Sequence, residues 1–78
     1  MKNIQLVDVT IHIKEDTDAA TRSAIESALR GINGVVSVHM PQEEPHLIVV
    51  EYDPDVTKSM ALLKAVKGLT GHADLIGL

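Results

Sequence analysis

Arg30-Gly31-Ile32-Asn33-Gly34 matches Lys67-Gly68-Leu69-Thr70-Gly71 position for position, at an offset of 37 residues. The same offset places Ile11 and Ile13 on Ile48 and Val50, Asp16 and Asp18 on Asp53 and Asp55, Ile25 on Leu62 and Ala28 on Ala65. One coincident pentapeptide would mean little. Agreement in segments that read as strand, helix and turn together points to a duplicated βαβ unit. A chain of 78 residues has room for two such copies only as halves of one domain, 1–78.

Periodicity supplies the elements. Val7, Val9, Ile11 and Ile13 alternate with Leu6, Asp8, Thr10, His12 and Lys14, the pattern of a half-buried strand. Thr17 or Asp18 then serves as the N-cap of a helix whose buried face is Ala20, Ala24, Ile25, Ala28 and Leu29. Arg22, Glu26 and Arg30 occupy its opposite side, and Gly31 follows at C′. Val35 to Met40 reads as a second strand, Pro41 to Pro45 as a loop, and Leu47 to Tyr52 as a third strand ended by Asp53-Pro54. Thr57 is placed to cap a second helix, with Ala61, Leu62, Ala65, Val66 and Leu69 inward and Gly68 and Gly71 breaking it. Ala73 to Leu78 completes the set as a last strand. The fold expected is α+β: a ferredoxin-like βαββαβ two-layer sandwich, with a four-stranded antiparallel sheet and both helices on one face.

Composition narrows the function classes. Tyr52 is the only aromatic residue, so the core is aliphatic. The formal charge is −4 and the basic residues are dispersed, with Lys58, Lys64 and Lys67 the longest cluster. A nucleic-acid surface needs a concentrated positive patch, so none is expected. No stretch approaches the roughly 18–20 apolar residues that span a bilayer, so no membrane insertion is expected. Lys2 is followed by a half-polar alternation and not by the apolar run of a signal peptide, which makes a cytoplasmic location the default. With no cysteine, the redox compartment leaves no mark.

Families with this element order differ in what they require. RNA-recognition domains stack bases on rings of the open sheet face, whereas Tyr52 shares a phase with Ile48 and Val50 and so faces the helices. Acylphosphatase-like domains need a glycine-rich loop with an arginine after the first strand; here that loop is Lys14-Glu15-Asp16-Thr17-Asp18. ACT-type regulatory domains usually carry glycine in the same loop, and their resemblance is weak.

Ala24-Ile25-Glu26-Ser27-Ala28-Leu29, then Gly31-Ile32-Asn33-Gly34-Val35, then Val50-Glu51-Tyr52-Asp53-Pro54 and Gly71-His72 follow another order. Together they resemble the heavy-metal-associated family from about Gln5 to Leu78. That family places a Met-x-Cys-x-x-Cys loop before the first helix. Counted back from Ile25-Glu26, its cysteines fall on Asp18 and Thr21 and its methionine on Asp16, with Glu15 beside them. Soft ions such as Cu(I) are held by thiolates and thioethers. The resemblance therefore implies a cysteine-free variant that does not carry over copper delivery.

Metal candidates remain. Glu15, Asp16 and Asp18 have the oxygens for a hard cation, but carboxylates at a helix start also act as caps and offset the macrodipole. His72 stands where the family often has a tyrosine, within approach of Asp18 or Thr21. His12 and His39 are expected on the open face with the third strand between them, their backbones about 9–10 Å apart. His46 has no partner visible in the sequence. A Zn²⁺, Ni²⁺ or Cu²⁺ ion on histidine and carboxylate is one reading; isolated surface histidines are the other. No nucleophile elbow or phosphate loop is present, so no enzyme activity and no cofactor are expected.

Leu6, Leu47 and Val49, with Ile76 a possible fourth, are expected on the face opposite the helices. Apolar residues on adjacent uncovered strands suggest a contact patch for a protein partner or a second copy, although β-propensity alone also places such residues there. The functional expectation is a small binding module acting by protein contact or self-association, with a weak His/carboxylate metal site as the alternative.

Overall fold

The computed structural model describes residues 5–76. Its elements run β1 (Val7–Ile13), α1 (Ala19–Arg30), β2 (Val35–His39), β3 (Leu47–Tyr52), α2 (Ser59–Thr70) and β4 (Ala73–Ile76). All strand pairs are antiparallel in the order β2-β3-β1-β4. This is the expected ferredoxin-like sandwich. The last two residues of the expected final strand, 77–78, lie outside the described residues.

Duplication is clearest in the core. Ile11 and Ile48, Ile13 and Val50, Ile25 and Leu62, and Leu29 and Val66 are offset pairs, and all eight side chains are fully buried. Each contributes about 1.5–3 kcal/mol through removal of apolar surface from water. Tyr52, the one Phe, Tyr or Trp in the sequence, also turns inward and is buried.

The helix ends depart from the sequence reading. Gly68 does not break α2, which continues to Thr70. A helix-interior glycine costs only about 1 kcal/mol relative to alanine, and the buried Val66 and Ala73 around it hold the segment down. Leu69 consequently faces solvent, while Leu63 takes the inward place. Ala20, Ala24 and Ala61, expected inward, are exposed as well. A methyl group is small enough that the larger Ile25, Leu29 and Leu62 decide each helix's rotation.

Gly31 is the C-cap of α1 in right-handed geometry, at φ −79°. The left-handed positions are Gly34 and Gly71, at φ 98° and 97°, which are offset equivalents. Each precedes an edge strand and lies against the loop after a central strand: Gly34 under Val56 and Thr57, Gly71 beside Glu15. This contact also explains why Thr57 is not the cap of α2. Its side chain is buried against Gly34, and the N-cap is Lys58, without a side-chain cap bond.

β2 carries a bulge between Val35 and Ser37, which leaves Val36 pointing out while Val38 turns in. A bulge on an edge strand bends it away from pairing with another chain.

Candidate functional site

The loop from Lys14 to Asp18 links the buried end of β1 to the start of α1. Asp18 is the N-cap of α1: its Oδ1 accepts the Thr21 backbone N–H at 2.8 Å. That bond holds the Asp18 carboxyl below its ordinary range, since hydrogen bonding favours the charged form. Glu15 turns the other way. The Nδ1–H of His72, at the start of β4, donates to Glu15 Oε2 at 2.7 Å. This bond is the main cause of the lowered Glu15 pKa. The second oxygen of Glu15 is buried, with no hydrogen-bond partner among the described residues.

Asp16 faces a third direction. Its Oδ1 is 3.2 Å from Nε2 of His46, at the entrance to β3. This pair is not legible in the sequence, because 30 residues separate the two and only the β1–β3 register brings them together. His46 Nδ1–H in turn donates to the Ile13 carbonyl at 2.8 Å. The three loop carboxylates thus have three separate partners and do not converge.

Other expected groupings resolve as follows. Asp18 and Thr21 meet in the cap, while His72 is engaged by Glu15. His12 and His39 share the open face but not a row: His12 is opposite Leu47, and His39 is opposite Val49, which faces Thr10. The two-residue stagger separates their backbones by about 12 Å. His12 has a different neighbour, with its ring centroid 6.0 Å from that of His46. Among the described residues, no three His, Asp or Glu side chains already converge as a metal-binding group.

On the open face, the register puts His39, Val49, Thr10 and Ile76 in one row across all four strands. Leu47, His12 and Asp74 form the next row, and Ser37, Glu51 and Asp8 the row on the other side. Leu47 and Val49, both on β3, therefore form a small apolar strip; Thr10 and His12 of β1 lie beside it and separate it from Ile76 on the edge strand β4. Leu6 precedes β1 at the far end, beyond the Asp8–Glu51 row. On the helix side, Arg22 reaches the carbonyls of Pro45 and Met40 at 2.8 and 3.3 Å. Those bonds tie the β2–β3 loop to α1, a role not evident from its place on a charged helix face.

No family profile matches the chain, and no curated protein does. Solved structures do. A copper-binding domain from HMA7, a P-type ATPase, superposes with a TM-score of 0.78 at 21% identity, covering 90% of this chain and 93% of that one. Oxidized MerP from Ralstonia metallidurans CH34 gives 0.78 at 23%, covering 94% and 100%. The N-terminal domain of a potential copper-translocating P-type ATPase from Bacillus subtilis, in its Cu(I)-loaded state, gives 0.75 at 27%, covering 91% and 85%. The architecture is the one shared by these heavy-metal-associated domains and by the mercury-bound form of MerP, which superposes with a TM-score of 0.74 at 23% identity.

The ions named for those structures are soft, and the residues at this loop do not fit them. Carboxylates and a hydroxyl stand where a soft ion needs sulfur, in a chain with no cysteine. No helix among the described residues is long and apolar enough to cross a membrane.

Proposed function

We propose that this chain is a thiol-free variant of the heavy-metal-associated domain that works as a binding module through protein contact. The observation supporting this most directly is the state of the loop. Where the family pattern calls for two cysteines, Asp18 caps α1 through the Thr21 amide, and Glu15 and Asp16 are drawn apart to His72 and His46. A loop so arranged serves the fold and leaves no place for a soft ion.

The contact surface in this reading is the open sheet face. Leu47 and Val49 on β3 give it an apolar strip, Ile76 adds an apolar residue at the β4 edge beyond Thr10, and His12, His39, Asp8, Glu51 and Asp74 give it polar surroundings. Interfaces commonly have this anatomy. The partner is another protein or a second copy of the chain.

The test compares wild type with Val49→Asp by sedimentation across a concentration series and by affinity capture from the producing cells. The variant is expected to lose self-association or a captured partner that wild type retains. A monomer at every concentration, with capture identical for both proteins, would overturn the reading.

A further inference from the structure

The corner where β1 ends and β3 begins brings Asp16 and His46 together in a contact that the cap at Asp18 does not require. The Ile13 carbonyl can only accept, so the His46 nitrogen facing it, Nδ1, carries a hydrogen. A neutral His46 then turns the Nε2 lone pair toward Asp16 Oδ1, 3.2 Å away. Two acceptors face each other at hydrogen-bond distance. The contact calls for positive charge, either a proton on Nε2 or a cation held by both groups.

Geometry suits the cation. Ligands about 2.0–2.2 Å from one tetrahedral ion stand about 3.3–3.6 Å from each other, so the fully exposed Asp16 side chain has to open by about 0.1–0.4 Å from the 3.2 Å observed. The hydrogen bond from Nδ1–H to a backbone carbonyl is the kind that fixes ring and tautomer in metal-binding histidines. A third donor is adjacent, since the His12 ring centroid lies 6.0 Å from that of His46. Two imidazoles on one tetrahedral ion bring their centroids to about 5 Å, so His12 has to close by about 1 Å. A side-chain torsion at the half-exposed His12 supplies that movement.

We propose that His46, Asp16 and His12 form a site for a borderline divalent transition ion of the Zn²⁺, Ni²⁺ or Cu²⁺ class. Imidazole and carboxylate suit these ions, and water completes the coordination. The site is distinct from the positions where the family's cysteines fall, Asp18 and Thr21, and its donors come from two strand ends and Asp16. It does not rest on protein contact through Leu47 and Val49, although its third donor, His12, lies beside Leu47 on the same face.

The test adds Zn²⁺ to isotope-labelled protein at slightly alkaline pH, where most imidazoles are neutral, and follows ring and amide NMR signals. Saturable one-to-one shifts are expected at the His46 and His12 rings. His46→Asn retains a donor for the Ile13 carbonyl but lacks the Nε2 ligand, and is expected to weaken binding at least tenfold. Asp16→Asn, at a fully exposed side chain, is expected to act in the same direction, and His39→Asn to leave affinity unchanged. If H46N loses its dispersed amide spectrum, Asp16→Asn carries the test alone. No saturable shift up to about 1 mM Zn²⁺, shifts centred on His39 or His72, or undiminished affinity in whichever variant carries the test would overturn the proposal.

Discussion

His72 donates from Nδ1 to Glu15 Oε2 at 2.7 Å, fastening the loop after β1 to the residue that begins the turn into β4. The bond lowers the Glu15 pKa from its ordinary value of 4.5. A depressed carboxylate pKa stabilises the folded state above the unfolded value, and that contribution is lost as pH falls through the folded one. Asp18 shifts in the same direction from 3.8, because of the Thr21 amide.

Stability is therefore expected to fall with acidification below about pH 4.5, and Glu15→Gln is expected to flatten that fall. Both carboxylates are solvent-screened, so the effect is modest. Urea melts of wild type and E15Q at a series of pH values check it. Parallel curves below pH 5 would mean that the bond to His72 contributes no pH dependence.

Gly34 and Gly68 are expected to respond in opposite directions to alanine. A Cβ on Gly34 would lie 2.9 Å from the Val56 Cβ, on a backbone with φ 98°. Gly34→Ala is expected to cost more than about 1 kcal/mol, lowering Tm by upwards of about 4 °C. Gly68 is in a helix with nothing within 4 Å of the added atom, so Gly68→Ala is expected to stabilise by about 0.5–1 kcal/mol. Thermal melts of the two single variants settle the comparison.

The repeat predicts equivalence in the core. Ile25 and Leu62 are offset partners, both fully buried, and each is expected to cost about 2–5 kcal/mol when replaced by alanine. Chemical denaturation measures both values. A loss below about 1 kcal/mol at either position would mean that its half of the core repacks.

Much of this fold could be read from the sequence, because period-2 and helical patterns put Ile11, Ile13, Ile25, Ile48, Val50 and Leu62 inward and the core agrees. The repeat carried the topology. Gly68 and Leu69 depart from their sequence pattern because a helix end depends on the whole backbone path, and Gly71 supplies the stop that Gly68 does not. At the loop, residue type and position narrow the cap to Thr17 or Asp18, and the structure shows Asp18. The pairs Asp16–His46 and Glu15–His72 did not, since each joins residues far apart in sequence through strand register. The bulge at Val36 was hidden for the same reason.

Soft-ion binding can be tested by putting sulfur back. Wild type is expected to leave Cu(I) with a high-affinity colorimetric chelator, because neither Asp18 nor Thr21 offers a thiolate. The double variant Asp18→Cys with Thr21→Cys, on the first turn of α1, is expected to withdraw Cu(I) from the same chelator. Chelator absorbance reads both. Wild type competing as well as the double variant would contradict the dismantled-loop reading.

The central claim is that the open sheet face meets another protein. A photo-crosslinking residue placed at Val49, or at Lys64 on the exposed side of α2 as control, tests it in the cells that make the protein. The account predicts a discrete adduct from position 49, with a second copy or another protein, and none from position 64. No adduct at 49, or the same products from both positions, would contradict it.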